Sequence, residues 1–204
     1  MMNNNNCFEK LNITLPKDHP IFTDHLNYNY QHVDVKLYDS SRTFLRHSLP
    51  ADYFKGEPIH DLMKKYNLGA KIFLIAPGWF YNWHRDGFRM LSFNLLLTDD
   101  DDYLTLFAHE YPKEMQVNIA QFTHQQFSRL EYTPQTFYLL NAQIPHMAIN
   151  YSKKNRYVLT LATFSKTPTA TLLGGPADFT PYNNLVSDLA QQGLIADASS
   201  NLNN

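Results

Sequence analysis

The sequence predicts a mainly β protein, a double-stranded β-helix of the jelly-roll, cupin-like kind with helices flanking it at both ends. Three observations lead there. Between Ala70 and Phe164 eight short β-type runs follow one another. Turn signals separate them, and no segment between them carries the 3.6-residue period of a helix. A double-sheet jelly roll uses eight strands.

Taken in order, the opening Asn run and the closing 199–204 are polar and poor in apolar residues, so both ends are expected to fray. Val33–Tyr38 alternates apolar and polar, as an edge strand with one buried face does. Pro58 to Leu68 reads as a helix, with Pro at its start and Gly69 just past its end. Its Ile59, Leu62, Met63 and Tyr66 share one face, which should cover the outside of a sheet. The β series then runs through Lys71–Ala76, a Pro77-Gly78 turn, Trp79–Asp86, Met90–Thr98, an acidic turn at 99–102 and Tyr103–Ala108. Met115–Ile119, Thr136–Leu140, His146–Asn150 and Arg156–Phe164 complete it. Asn183 to Gln192 is a last helix stopped by Gly193. The expected organisation is one domain over 1–204. Its core spans about 70–165, an N-terminal packing segment about 8–69, and an irregular, partly helical segment about 166–195.

With 17 basic against 19 acidic residues and a formal net charge of −2, no field is present that would gather nucleic acid or an anionic membrane. Cys7 is the only cysteine, so no intramolecular disulfide can form. No apolar run has bilayer-spanning length, and the start lacks a basic stretch leading into an apolar one. The expectation is a soluble, cytoplasmic protein. Oligomeric state leaves no mark in the sequence.

Chemistry concentrates at Asn82-Trp83-His84-Arg85-Asp86. On an extended segment, period 2 turns His84 and Asp86 to one side. Two histidines and one carboxylate make the facial triad of non-haem Fe(II) oxygenases, so a second histidine is required. His146 is the candidate, because the second and seventh strands of a jelly roll are neighbours in one sheet. Arg156, ten positions further on, opens the apolar run Arg156–Leu161, where a lone guanidinium needs a partner. A planar fork of donors suits the far carboxylate of 2-oxoglutarate, whose keto acid end would chelate the metal. The competing account of Arg156 is an edge-strand surface residue near Lys153 and Lys154. His109 with Glu110 lacks a third ligand, and the acidic turn lacks the spacing of a calcium loop. No nucleophile elbow, P-loop or dinucleotide glycine motif is present.

These residues resemble a known family. Ile75-Ala76-Pro77-Gly78, His84-Arg85-Asp86, Arg89, Ser92–Leu97, Pro145-His146 and Arg156 are similar to the aspartyl/asparaginyl β-hydroxylase branch of the 2-oxoglutarate/Fe(II) oxygenases, over roughly residues 70–165. The resemblance implies that His84 and His146 are imidazole ligands and that Arg156 clamps 2-oxoglutarate. Asp86 departs from the animal β-hydroxylases, which have glycine there, and completes the triad. Asn94 falls where the family has a polar group near the cosubstrate, and Arg89 is a candidate for contact with cosubstrate or an acidic substrate. Tyr81, Trp83, Tyr103 and Phe107 are candidate pocket walls. The activity implied is hydroxylation of an amino acid, of an Asp, Asn or Pro side chain, or of a related small molecule, using Fe(II), 2-oxoglutarate and O2, with release of succinate and CO2. Two other readings compete: a cupin-like metal- or ligand-binding protein without oxygenase activity, which has no need of Arg156, and a β-sandwich interaction domain in which His84, Asp86 and His146 never meet.

Overall fold

The computed structural model describes residues 7–33, 44–84, 86, 91–98, 102–108, 127–163 and 180–195. In chain order, β1 (Phe8–Thr14), a short α1 (Ile21–Asp24) with a 3-10 turn, β2 (Gln31–Val33), β3 (Phe44–Ser48) and α2 (Pro58–Lys65) come first. Eight strands follow: β4 (Gly69–Ile75), β5 (Phe80–His84), β6 (Leu91–Leu96), β7 (Tyr103–Ala108), β8 (Phe127–Leu130), β9 (Thr136–Asn141), β10 (His146–Asn150) and β11 (Arg156–Ala162). The closing helix is α3 (Thr180–Gln191).

Two antiparallel sheets result, a large one ordered β1-β9-β6-β11-β4-β3-β2 and a small one ordered β5-β10-β7-β8. Successive strands from β4 onwards alternate between the sheets, apart from β7 to β8. That is the winding of a double-sheet jelly roll. Strands β1, β3 and β2 lengthen the large sheet at its two ends. The β4–β5 crossing is a tight turn in which the Trp79 N–H donates to the Ala76 carbonyl at 3.1 Å. Gly78 sits at φ +70 there, and Pro at the second and Gly at the third turn position are what a type II turn demands.

Alternation along the strands sorts the large sheet into two faces. Ala70, Ile72 and Leu74 of β4, Phe93 and Leu95 of β6, and Leu159 and Leu161 of β11 form one apolar layer with Ile59, Leu62 and Met63 of α2 and Tyr182, Leu185 and Leu189 of α3. The α2 face named by the sequence thus covers the outside of the sheet, with Tyr66 packed at its margin. Helix α3 ends with Gly193 at φ +68 while the N–H groups of Gly193 and Leu194 close back on Ala190 and Leu189, satisfying the last carbonyls.

Three expectations need correction or placement. The fifth jelly-roll strand is Phe127–Leu130; Met115–Ile119, expected in that role, lies outside the described residues. The edge strand expected over Val33–Tyr38 is seen only as Gln31–Val33 at the end of the large sheet, and 34–38 lie outside the described residues, as do both polar ends and 164–179. Strands β1 and β3 were not foreseen. In β1 the pairing with β9 shifts register between Lys10 and Thr14, so its apolar residues break the period of 2 by which strands are recognised. Among the described residues, no helix is long and apolar enough to cross a membrane.

Candidate metal centre

His84 closes β5 and His146 opens β10, and the two are directly opposed in the small sheet. A bulge prepares that pairing. Ala148 faces Tyr81 while His146 faces His84, so β5 spends one more residue than β10 over the same span. A bulge re-aims side chains: here Tyr81 and His84, three apart in sequence, both turn inward, with ring centroids 3.6 Å apart. Trp83 turns the other way, into a cluster with Leu106, Met147 and Ile149 on the outside of the small sheet. It is no pocket wall.

Asp86 follows β5 in a connection stapled to the β9–β10 turn. Its N–H donates to the Ala142 carbonyl at 3.1 Å, and the Gln143 side-chain amide donates to the Asp86 carbonyl at 3.2 Å. The carboxylate thereby sits between the imidazoles, Oδ1 being 3.7 Å from His84 Nε2 and Oδ2 3.8 Å from His146 Nε2. One ligand atom from each of the three residues falls within 4.8 Å of the other two. Donor atoms at right angles around an ion about 2.1 Å away are about 3 Å apart, so small side-chain adjustments close this set on a metal. His146 Nδ1 lies 2.9 Å from the Ile144 carbonyl, which fixes that nitrogen as the donor and leaves Nε2 for a cation. The Phe107 ring stacks on His146 with centroids 5.6 Å apart. Two imidazoles and a carboxylate suit a borderline divalent first-row ion such as Fe(II).

Arg156 starts β11 in the large sheet and reaches across to the small one. It is 1% exposed. Nη1 donates to the carbonyls of Leu104 (2.9 Å) and Ile149 (3.3 Å), and Nη2 to Thr105 Oγ1 (2.6 Å). Nε has no hydrogen-bond acceptor among the described residues. Among the described residues no carboxylate pairs with this guanidinium. The rings of Tyr103 and Tyr132 lie 5.0 and 6.0 Å from it. Burial pulls its pKa down, opposed by those two tyrosines, but a guanidinium starts so high that it stays charged at neutral pH. Thr105 is two residues from Phe107, which lies opposite His146, so this cation is about 7 Å along the sheet from the histidine pair.

Asn94 projects from β6 into the space between the sheets. Its Oδ1 accepts from Ser92 Oγ at 2.7 Å. Tyr132, whose ring lies 6.0 Å from the Arg156 guanidinium, escaped the sequence reading, as did Thr105 and the role of Gln143. A tyrosine between Glu131 and Thr133 has no motif around it. Only the fold brings it to Arg156. Arg89, Arg85 and His109 lie outside the described residues.

No family model matches the chain. No curated protein matches it either. Solved structures do. A prolyl-4-hydroxylase from Pseudomonas putida superposes with TM-score 0.51 over 78% of this chain and 93% of its own, at 14% identity. A prolyl hydroxylase from Trichoplax adhaerens, in complex with a hypoxia inducible factor peptide fragment, gives 0.55 over 79% and 84%, at 14% identity. HygX from Streptomyces hygroscopicus, with nickel, 2-oxoglutarate and hygromycin B bound, gives 0.56 over 84% and 91%, at 11% identity. Identities this low speak for the backbone alone. The chain therefore has the jelly-roll fold of 2-oxoglutarate/Fe(II) oxygenases, and within it one His-Asp-His cluster converges among the described residues.

Proposed function

We propose that this protein is an Fe(II)- and 2-oxoglutarate-dependent dioxygenase that hydroxylates an amino acid, an Asp, Asn or Pro side chain, or a related small molecule. One observation carries the reading: a fully buried guanidinium with no carboxylate beside it among the described residues, standing about one pleat repeat from a His-Asp-His cluster. A buried charge is costly unless paired. A dicarboxylate held at one end by a metal in that cluster would supply the missing anion at the other. A cupin-like protein that only binds metal would gain nothing from such a cation.

His84, Asp86 and His146 would hold the metal. Bound Fe(II) and 2-oxoglutarate, with O2, supply oxidising power that inserts one oxygen atom into a C–H bond as the oxo acid is cleaved to succinate and CO2. The chain contributes placement. Arg156 and Thr105 would orient the far carboxylate beside the Tyr132 ring, and Asn94, in the row of Thr160, would offer its amide to the other end of the cosubstrate. Between the depth of Arg156 and that of Asn94, the inward residues of the large sheet are Phe73, Val158 and Leu96, a dry row suited to the methylenes of the cosubstrate. Arg89 is proposed to contact cosubstrate or substrate from the connection after Asp86. The resemblance to aspartyl/asparaginyl β-hydroxylases, and the likeness in fold to two prolyl hydroxylases, one holding a peptide, support an amino-acid or peptide substrate. A reducing, cytoplasmic setting suits a ferrous site.

The test is anaerobic addition of Fe(II) and then 2-oxoglutarate to the purified protein. A weak visible charge-transfer band is expected in the wild type and not in His146→Ala, whose circular dichroism should be unchanged. No band from well-folded wild type would favour the binding-only cupin reading.

A further inference from the structure

A pair of cations stands on the inner side of the large sheet at the level of the histidines. Their direction follows from their neighbours. Ala70, Ile72 and Leu74 belong to the outer apolar layer, so Lys71 and Phe73 face inward. On β3, Leu45 packs on that outer layer and His47 stacks on Tyr28, centroids 4.4 Å apart, which also packs there; Arg46 and Ser48 therefore face inward. Arg46 is opposite Phe73 and Lys71 opposite Ser48, making the two cations diagonal neighbours about 7–8 Å apart at the backbone, within reach of one ligand.

Their depth can be read from the ladders. Lys71 is opposite Thr160, four residues above Arg156 on β11, or about 13 Å; His146 is three residues above Ile149, whose carbonyl Arg156 touches, or about 10 Å. Arg156 lies deep, and the pair lies level with the metal ligands. The large sheet also overhangs. β5, carrying His84 and Tyr81, is the edge of the small sheet on the side of β4, and β3 and β2 extend beyond it with no small-sheet strand over them among the described residues. Arg46 and Lys71 are half-buried on that open flank, and Arg46 makes no ion pair among the described residues. In a chain of formal net charge −2 this is a local feature.

We propose that Arg46 and Lys71 form a subsite for a carboxylate on the substrate, so that this protein acts on a small acid, such as a free amino acid, entering from the β3–β4 flank. The inference rests on the oxygenase reading. Arg156 is the deep cosubstrate cation and this pair the shallow substrate one.

The experiment uses protein loaded with redox-inert Zn(II) and 2-oxoglutarate, and measures binding of the free L-amino acids and of their carboxamides by saturation-transfer NMR. A charge-assisted pair of contacts predicts at least one amino acid bound tenfold or more tightly than its amide. In the double variant Arg46→Gln/Lys71→Gln that ratio should fall to within twofold, with 2-oxoglutarate affinity unchanged. Equal binding of acids and amides, a ratio that survives both substitutions, or no amino acid bound while 2-oxoglutarate binds normally, each overturns the subsite. Failure of 2-oxoglutarate itself to bind the zinc-loaded wild type would instead remove the oxygenase reading.

Discussion

On β6, β9 and β11 the odd-numbered residues Phe93, Leu95, Phe137, Leu139, Leu159 and Leu161 are all 0% exposed and meet the layer that contains α2 and α3. The even-numbered Ser92, Asn94, Tyr138, Arg156 and Thr160 of the same strands project toward the small sheet. One face is an unbroken hydrocarbon layer, and the other keeps hydroxyls, an amide and a charge in a space the fold could have filled with leucine. Stability and chemistry are thus separated by a single residue step. A substitution on one face should leave the property of the other untouched.

Phe93→Ala gives the largest effect on stability. Removing a wholly buried ring with partial collapse around it costs about 3–5 kcal/mol, read as a drop in the denaturant midpoint. Affinity of the remaining folded protein for metal and 2-oxoglutarate should stay within about twofold, since additivity holds for groups with no shared partners. Affinities that fell in step with stability would erase the division between the faces.

Arg156→Met is the mirror image. Replacing a buried, anion-free cation by an apolar side chain of similar length is expected to leave unliganded stability within about 1 kcal/mol of wild type, the lost hydrogen bonds to Leu104, Ile149 and Thr105 being offset by relief of desolvation. The stabilisation that 2-oxoglutarate confers on the zinc-loaded wild type, about 2.7 kcal/mol at a hundredfold excess over Kd, should vanish. Metal affinity should change far less. Equal losses for metal and 2-oxoglutarate would argue against the clamp.

How legible each face was follows from the same geometry. The outer layer announced itself through period: Leu159, Leu161 and their neighbours read as strands, and Ile59, Leu62 and Met63 as one helical face. The convergence of His84, Asp86 and His146 was legible because ligand chemistry restricts residue type and strand period restricts spacing. The bulge at Asn82–Trp83 was not. It turns Tyr81 inward beside His84, whereas Trp83, expected as a pocket wall, faces the outside of the small sheet by plain alternation from its neighbour His84. Phe127–Leu130 is too short for its period to declare itself, and Tyr132, Thr105 and Arg46 gain meaning only from partners remote in sequence.

Gln143 offers a smaller and finer test of the inner face. Its amide holds the backbone at Asp86, not the carboxylate, so Gln143→Leu should shift the ligand without discarding it. Loss of such outer support typically costs about tenfold in metal affinity, measurable by Ni(II) titration, with little change in unfolding midpoint. An unchanged titration would mean that the Ala142 contact alone positions the loop.

The smallest effect belongs to the outer rim, where Asp188 of α3 accepts hydrogen bonds from Lys65 and Tyr66 beside α2, with Lys65 Nζ 2.8 Å away. Those bonds, Lys65 first and Tyr66 second, hold the Asp188 carboxyl below its ordinary range. A carboxyl depressed in the folded state stabilises above its unfolded pKa of about 3.9 and loses that contribution as pH falls through the folded value. Asp188→Asn should therefore differ slightly from wild type at neutral pH and converge with it in acid. The helices are tied mainly by Leu62, Leu185 and Leu189 beneath, and an exposed pair screened by water adds little to them. A difference that persisted well below pH 3 would show that Asp188 acts through packing, and the rim would then have to be counted with the apolar layer.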